Sequence, residues 1–540
     1  MGNTKLVKPF TGRKAEGRGQ LSQRKNLKAE GKPLPLTKKQ AQWSRRRFLK
    51  LTSLATGSAL VTSGLSHPER VWRRVSGSTN PKIAVVGGGI AGLNAAYQLK
   101  KIGLTATVYE ARERLGGRIQ SVTGAIGEGS VTDLGGHFIN TDHTDVLELA
   151  KEFNIKLFSL IEEQQRFLFP GTAYYFNGKV QSEEEIADKL RPLALAISYD
   201  AGLLDQSFEQ YAPIFDSMSV ADYLNKYADK IPEPFIRELI ENTIRSEYGV
   251  EPEESSAVQL LINLPTVDGN KVELLGNSDE AFVVEGGSGM IIDSLVQALS
   301  GQIYTRMPLT RIQSRGSGFL LTFSHNYVVD ADYVIIAIPL TVLRKVDIQV
   351  NLPNNFRRFI HEVDLGANEK VIAGFNQKVW RQENGFVKEV WSDLKFSLAW
   401  DESLRQTDRE NGELVFFLGG NEVRRAQPGN AKLQGKKFVD QLDDFIPGAK
   451  DAATGKFLQT RWTTDPFTRG GYTSFKPGQL TEFSEFLYVE ADKPEERQDV
   501  NFGNLVFAGE HLSDEFYGYM NGAAQTGRLA AQVIERQHQA

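Results

Sequence analysis

A chain of 540 residues, 40% hydrophobic and 24% charged, has ordinary globular composition and is too long for one hydrophobic core, so two or more packed units are expected. It has no cysteine, which excludes a disulfide framework, a thiolate-ligated zinc or iron–sulfur site, a thiol nucleophile and a cysteine-linked flavin. The net charge of −4 hides an asymmetry: residues 1–50 hold fifteen Lys and Arg against two Asp and Glu, a net +13, and the remainder carries −17.

In chain order, the first marked feature is SRRRFLKLTSLATGSALVTSGL, Ser44 to Leu65. Its mildly apolar run of about 15 residues is shorter than the roughly 20 needed to span a bilayer. A charged region followed by a short apolar one reads as a signal peptide. The stretch resembles a twin-arginine export signal, with Arg45 and Arg46 as the pair. That resemblance implies the twin-arginine export machinery as a partner. It places the protein in the periplasm or a thylakoid lumen, membrane-associated if the signal stays uncleaved. Residues 1–79 are accordingly read as leader and linker, and the basic arm is not taken for a nucleic-acid contact.

Lys82 to Val86 reads as a strand, and Gly87, Gly89 and Gly92 follow at GxGxxG spacing. A helix is expected from about Ala91 to Lys101 and a second strand over Thr105 to Glu110. Gly87 permits the tight turn, Gly89 admits a pyrophosphate and Gly92 lets the helix pack on the strand. Glu110 stands where an acid receives ribose hydroxyls. EARERLGGR adds Gly116 and Gly117, with Arg118 to neutralise pyrophosphate, and DLGGHFI brings a third glycine turn at Gly135 and Gly136. Helical spacing continues over residues 145–158 and in stretches between 182 and 260. Strand alternation marks 316–349 and 370–420, and a polar connector at 422–437 precedes a helix at Phe438 to Phe445.

The glycine turns, together with VEGGSGMIIDSLVQAL, ADYVIIAIPLTVL and the closing NLVFAGEHLSDEFYGYMNGAAQTGRLAA, resemble the flavin-containing amine oxidase family over most of residues 80–535. The resemblance implies an α/β fold of mixed α+β character. A Rossmann-like FAD-binding domain is assembled from residues 80–160, 282–345 and 475–540. A substrate-binding domain with a β-sheet and helices takes residues 161–281 and 346–474. It assigns FAD contacts to the glycines already named and to Ile90, Ala91, Glu110, Arg112, Arg118, Leu309, Trp462, Glu510, Tyr519 and Met520. Tyr472 and Tyr519 match a pair of aromatic cage residues, and Lys370 matches the lysine that holds a water near flavin N5. The residue before the cage tyrosine is Gly471 where relatives carry a cysteine bonded to FAD, so the flavin is expected to be non-covalent.

The implied reaction is hydride transfer from the C–H beside a primary or secondary amine to flavin N5. The imine is hydrolysed, and oxygen or a quinone takes the electrons. An L-amino acid oxidase or dehydrogenase is the nearest alternative and needs a cation for the substrate carboxylate, best an arginine; Arg166, Arg245 and Arg461 are the candidates. A carotenoid desaturase, a protoporphyrinogen oxidase and a flavin-bound scaffold are more distant ones. The acidic runs Glu183 to Glu185 and Glu251 to Glu254 are read as solvated loops. His137 and His511 are read as structural, no metal site is expected, and the resemblance allows a homodimer.

Overall fold

The computed structural model describes residues 80–539 except Pro428; the twin-arginine stretch lies outside the described residues. The strand Ile83–Val86 has the sequence IAVV and is buried throughout, the pattern of a parallel strand covered on both faces. It pairs in parallel with Ala106–Tyr109 on one side and with Tyr333–Ile336 on the other. Ile303–Tyr304 extends the sheet beyond Ala106–Tyr109, and Leu505–Phe507 extends it beyond Tyr333–Ile336. The short antiparallel strand Asn501–Phe502 finishes that edge.

The helix Ile90–Lys101 follows the first strand, and the C-terminal helix Met520–Gln539 lies against it. Asn94 donates its side-chain amide to the Ala524 carbonyl at 2.7 Å. A Cβ added at Gly527 would stand 2.3 Å from the Ala91 carbonyl oxygen, so the two helices meet backbone to backbone. Residues more than 400 positions apart thereby form one layer over the parallel sheet.

A second sheet has seven strands, ordered Ala453–Gln459, Asn368–Phe375, Gly412–Gly419, Leu398–Asp401, Glu389–Ser392, Thr172–Phe176 and Lys179–Gln181. Asn368–Phe375 alternates in sequence yet is buried at every position. The helix Ala431–Asp443 packs against one face, and Glu369 and Lys370, on opposite faces, are both buried polar groups.

Helices from Glu183–Gln206 to Ala257–Asn263 pack on one another, and Pro234–Tyr248 also packs against Gly412–Gly419 of the second sheet. Two of them open on reciprocal caps, Ser182 with Glu185 and Ser219 with Asp222, as their Ser-x-x-acid spacing requires. Pro234–Tyr248 starts on proline and ends at Gly249, whose φ of 64° is left-handed, the usual helix stop.

Some elements differ from the sequence expectation. Glu183 to Glu185, read as a loop, form the first turn of the helix Glu183–Gln206. The helix expected over 145–158 covers Thr144–Glu152. Asn154 turns the chain with φ 54°, and Leu157–Ser159 becomes a strand paired with Phe282–Val284. The polar connector holds a short helix, Asn421–Ala426, and the next helix begins at Ala431 rather than Phe438, because the Asn430 side chain caps the Leu433 N–H at 2.9 Å.

Candidate active site

The turn after the first strand is shaped by what its glycines exclude. Gly87 has φ 114°, and a Cβ there would stand 2.3 Å from the Ala337 carbonyl oxygen. A Cβ at Gly92 would lie 2.0 Å from the Gly87 oxygen, so only glycine lets helix and turn pack. In front of Gly89 the nearest atom a Cβ would meet is Gly117 Cα at 3.9 Å, which leaves room for a phosphate at the helix N-terminus. Glu110 accepts the Gly88 N–H at 2.7 Å through one oxygen and the Arg112 N–H at 2.9 Å through the other. Each oxygen keeps a lone pair for a ribose hydroxyl. The donor set and the space fit a dinucleotide.

A cavity of about 490 Å³ begins at this turn and runs between the two sheets. Of the expected cofactor residues, Gly92 lies off its wall and the rest line it. The C-terminal motif closes the far side. Glu510 accepts the Gly518 N–H at 2.7 Å and the Thr473 hydroxyl at 2.9 Å. Arg118, expected to neutralise pyrophosphate, bonds Glu510 at 2.8 Å and the Gly471 carbonyl at 2.7 Å through one nitrogen. It therefore ties the N-terminal turn to the C-terminal motif. Burial works against ionisation of Glu510, but Arg118 and His511 outweigh it and lower its pKa. Trp462 donates to the Leu134 carbonyl at 3.0 Å, which fixes the turn carrying Gly135 and Gly136.

Lys370 reaches this turn from the second sheet. Its ammonium donates to the Asp133 carbonyl at 2.7 Å and the Gly135 carbonyl at 2.9 Å, and it lies 5.2 Å from the Trp400 ring centre. Burial pushes its pKa down, with Glu402 and Asp133 pulling partly back. Beneath it sits an ion cluster. The Arg405 side chain is fully buried and bonds Asp133 at 2.7 Å and Glu402 at 3.0 Å. His137 Nδ1 is 3.0 Å from Asp133. Burial opposes the charge on Asp133, but Arg405 and His137 hold its carboxyl below the usual range. Asp133, His137 and Glu402 have metal-ligand spacing, but Arg405 already answers both carboxylates.

The two expected cage tyrosines border the same cavity. Tyr472 donates its hydroxyl to the Ser246 carbonyl, and Tyr519 donates to Glu247 at 2.9 Å. Burial, then the charges of Glu247 and Glu280, raise the Tyr472 pKa well above 10, so it is a neutral phenol. Glu280 also lines the cavity and pairs with Lys388 at 2.6 Å. Burial raises its pKa against that partner.

Sequence reasoning missed Glu247, Glu280 and Trp400 at this cavity. Glu280 gave no sequence signal; its φ of 43°, unusual for a non-glycine residue, is visible only in the fold. None of the three candidate arginines lines the cavity. Arg245 pairs with Glu251 at 3.0 Å and Glu241 at 3.4 Å, Arg166 pairs with Glu163, and Arg461 donates to the carbonyls of Gln427 and Gly429.

A dinucleotide cradle opening into a cavity framed by phenols and a buried lysine defines a flavin-dependent oxidoreductase. The chain belongs to the flavin containing amine oxidoreductase family, whose model matches residues 90–535. It is an oxidoreductase acting on CH–NH2 donors, with a flavin cofactor. It is 23% identical to amine oxidase [flavin-containing] A of Sus scrofa over 467 residues, 84% of each chain. It is 25% identical to the amine oxidase [flavin-containing] of Oncorhynchus mykiss over 470 residues, 84% of this chain and 85% of the relative. Among solved structures, a putrescine oxidase double mutant has TM-score 0.69 at 21% identity, covering 85% of this chain and 99% of that one. Cyclohexylamine oxidase from Brevibacterium oxydans has TM-score 0.68 at 22% identity, covering 85% and 100%. The likeness to these structures is one of fold.

Proposed function

We propose that the protein oxidises a primary or secondary amine to an imine, which water converts to a carbonyl compound and ammonia or a smaller amine. Electrons pass finally to oxygen, giving peroxide, or to a quinone. The observation that carries this reading is the meeting of Lys370, Tyr472 and Tyr519 on the cavity that also receives both glycine motifs. FAD, when bound, supplies the two-electron acceptor for the C–H beside the nitrogen. The Gly89 turn and Glu110 would hold its pyrophosphate and ribose, and Glu510 with Gly518 its far end. Position 471 is glycine and the chain has no cysteine, which supports non-covalent binding.

The chain's own part is to present the amine neutral, dry and aligned. An amine of ordinary pKa about 10 is mostly protonated near neutrality. The Lys370 charge opposes a second cation beside it, and the aromatic walls of Trp400, Phe417 and the two phenols strip water from it. Lys370 spends two of its three donors on carbonyls; the third is left to hold a water at the reacting face. The engagement of Arg166, Arg245 and Arg461 elsewhere favours plain amines over α-amino acids. We further propose that the protein is exported by the twin-arginine route.

The test is an anaerobic titration of the purified holoprotein with amines and with L-amino acids, followed by admission of oxygen. Amines are expected to bleach the visible flavin band and oxygen to restore it with release of peroxide. Bleaching by L-amino acids alone would replace this reading with the amino acid oxidase one.

A further inference from the structure

The helix Pro234–Tyr248 ends in the turn that anchors the phenols: Tyr472 donates to the Ser246 carbonyl and Tyr519 to Glu247. Asn368, two residues before Lys370 on the same strand, also donates to the Ser246 carbonyl, at 3.1 Å. One turn back on the helix stands Asn242, and its bonds fix which way its amide faces. The nitrogen donates to the Ser392 carbonyl at 2.9 Å, and the oxygen accepts the Arg245 guanidinium at 2.8 Å. A flipped amide would set donor against donor and acceptor against acceptor.

The same Asn242 oxygen lies 3.0 Å from the Ser397 hydroxyl, which lies 2.8 Å from Glu422. All three side chains are buried. A serine hydroxyl carries one proton. Asn242 offers it only an acceptor, so Ser397 spends that proton on Asn242, and the proton between Ser397 and Glu422 comes from Glu422. Burial acts in the same direction, lifting the Glu422 carboxyl to about 7 against Gly419, Ser397, Arg245 and Arg425. Of the charged groups acting on it, Arg245 comes from the helix and Arg425 from Glu422's own element; Arg245 is itself paired with Glu251 at 3.0 Å and Glu241 at 3.4 Å. Resting on the amine-oxidising reading of the cavity, we propose that Glu422 is a positioning residue for the phenols: as an acid it donates to Ser397, which leaves the serine proton to hold Asn242 and, one turn on, the carbonyl that anchors Tyr472. Ionised, the carboxylate takes the Ser397 proton for itself, and the Asn242 oxygen keeps only Arg245. The helix end then loses a tie to the second sheet, and the amine is held less well aligned.

Two measurements on the holoprotein test this. Infrared difference spectra of wild type against Glu422→Gln should show a carboxylic-acid C=O band below pH 7 that fades as the pH rises above it. The second is the wild-type to variant ratio of amine kcat/KM, in which titration of the amine cancels. Glutamine donates to Ser397 through its nitrogen and accepts from Gly419 through its oxygen, so it mimics the acid at every pH. The ratio is expected near parity below pH 7 and to fall above it by about twofold to tenfold, the worth of one buried hydrogen bond, through KM. Absence of the acid band overturns the proton assignment. A band with a flat ratio overturns the link to the phenols and leaves amine oxidation standing. Amines that fail to bleach the flavin overturn the amine-oxidising reading and the positioning role with it, while the band still decides the protonation of Glu422. Should Glu422→Gln misfold, Ser397→Ala keeps the test: it removes the acceptor of the acid, so the band should move and the pH step should vanish, and a band and step left in place overturn the relay.

Discussion

Tyr519 sits between three constraints: its hydroxyl on Glu247, its ring edge-on to His143 at 5.1 Å, and the cavity in front. A side chain so held is placed for the substrate-positioning role proposed above. Tyr519→Ala is expected to lower amine kcat/KM on the order of a hundredfold, the penalty of a misplaced reacting centre, while the flavin-to-protein absorbance ratio stays at the wild-type value. Loss of the flavin instead would make the residue structural. At this scale the sequence was partly readable. Tyr472, Tyr519 and Lys370 stand in motifs that can be matched residue by residue. Glu247 does not, because an acid near a helix end in RSEYG looks solvent-facing. Its neighbour Tyr519 is 272 positions away, and no local spacing encodes that.

Elements show a different balance. Caps and stops were readable where they are local, as in Ser219 with Asp222 or Pro234 at a helix start. Burial was not. Asn368–Phe375 alternates like a half-exposed strand, but layers on both of its faces enclose it, and those layers come from distant sequence. Asn421–Ala426 shows what such enclosure does to a charge. Glu422 is 5% exposed, accepting the Ser397 hydroxyl at 2.8 Å and the Gly419 N–H at 3.1 Å. Burial lifts its carboxyl from 4.5 to about 7, against those bonds and Arg245. The protonated form therefore favours the fold. Its contribution is complete below 4.5 and is lost as pH rises to about 7. Over that window the wild-type melting temperature should lose ground relative to Glu422→Gln, by roughly 1 °C per kcal/mol for a folded unit of this size. Parallel pH profiles for the two proteins would show that Glu422 is already ionised in the fold.

For the whole molecule, the class of fold follows from glycine motifs at both ends of residues 80–539, but the strand order does not. Ile83 lies beside Tyr333, and Val334 beside Leu505; such pairings arise from packing at long range. The proposed leader rests on residue types alone. Replacing Arg45 and Arg46 by lysine keeps the charge and removes the paired guanidinium groups. It is expected to cut the exported fraction about tenfold or more, as an Arg-to-Lys exchange is not conservative where a receptor reads the fork. Fractionation with activity assays of each compartment measures this; unchanged export would dismiss the twin-arginine route.

The strand Leu505–Phe507 pairs with Tyr333–Ile336, and this has a bearing on biosynthesis. A ribosome makes about 5–20 residues per second, so some ten to thirty seconds separate the emergence of these two segments. Throughout that delay Tyr333–Ile336 presents an apolar, unpaired edge, the kind that invites wrong partners. A nascent chain paused before residue 505 should therefore depend on chaperones more than one paused later, and the cavity wall stays incomplete until Glu510 and Gly518 have emerged.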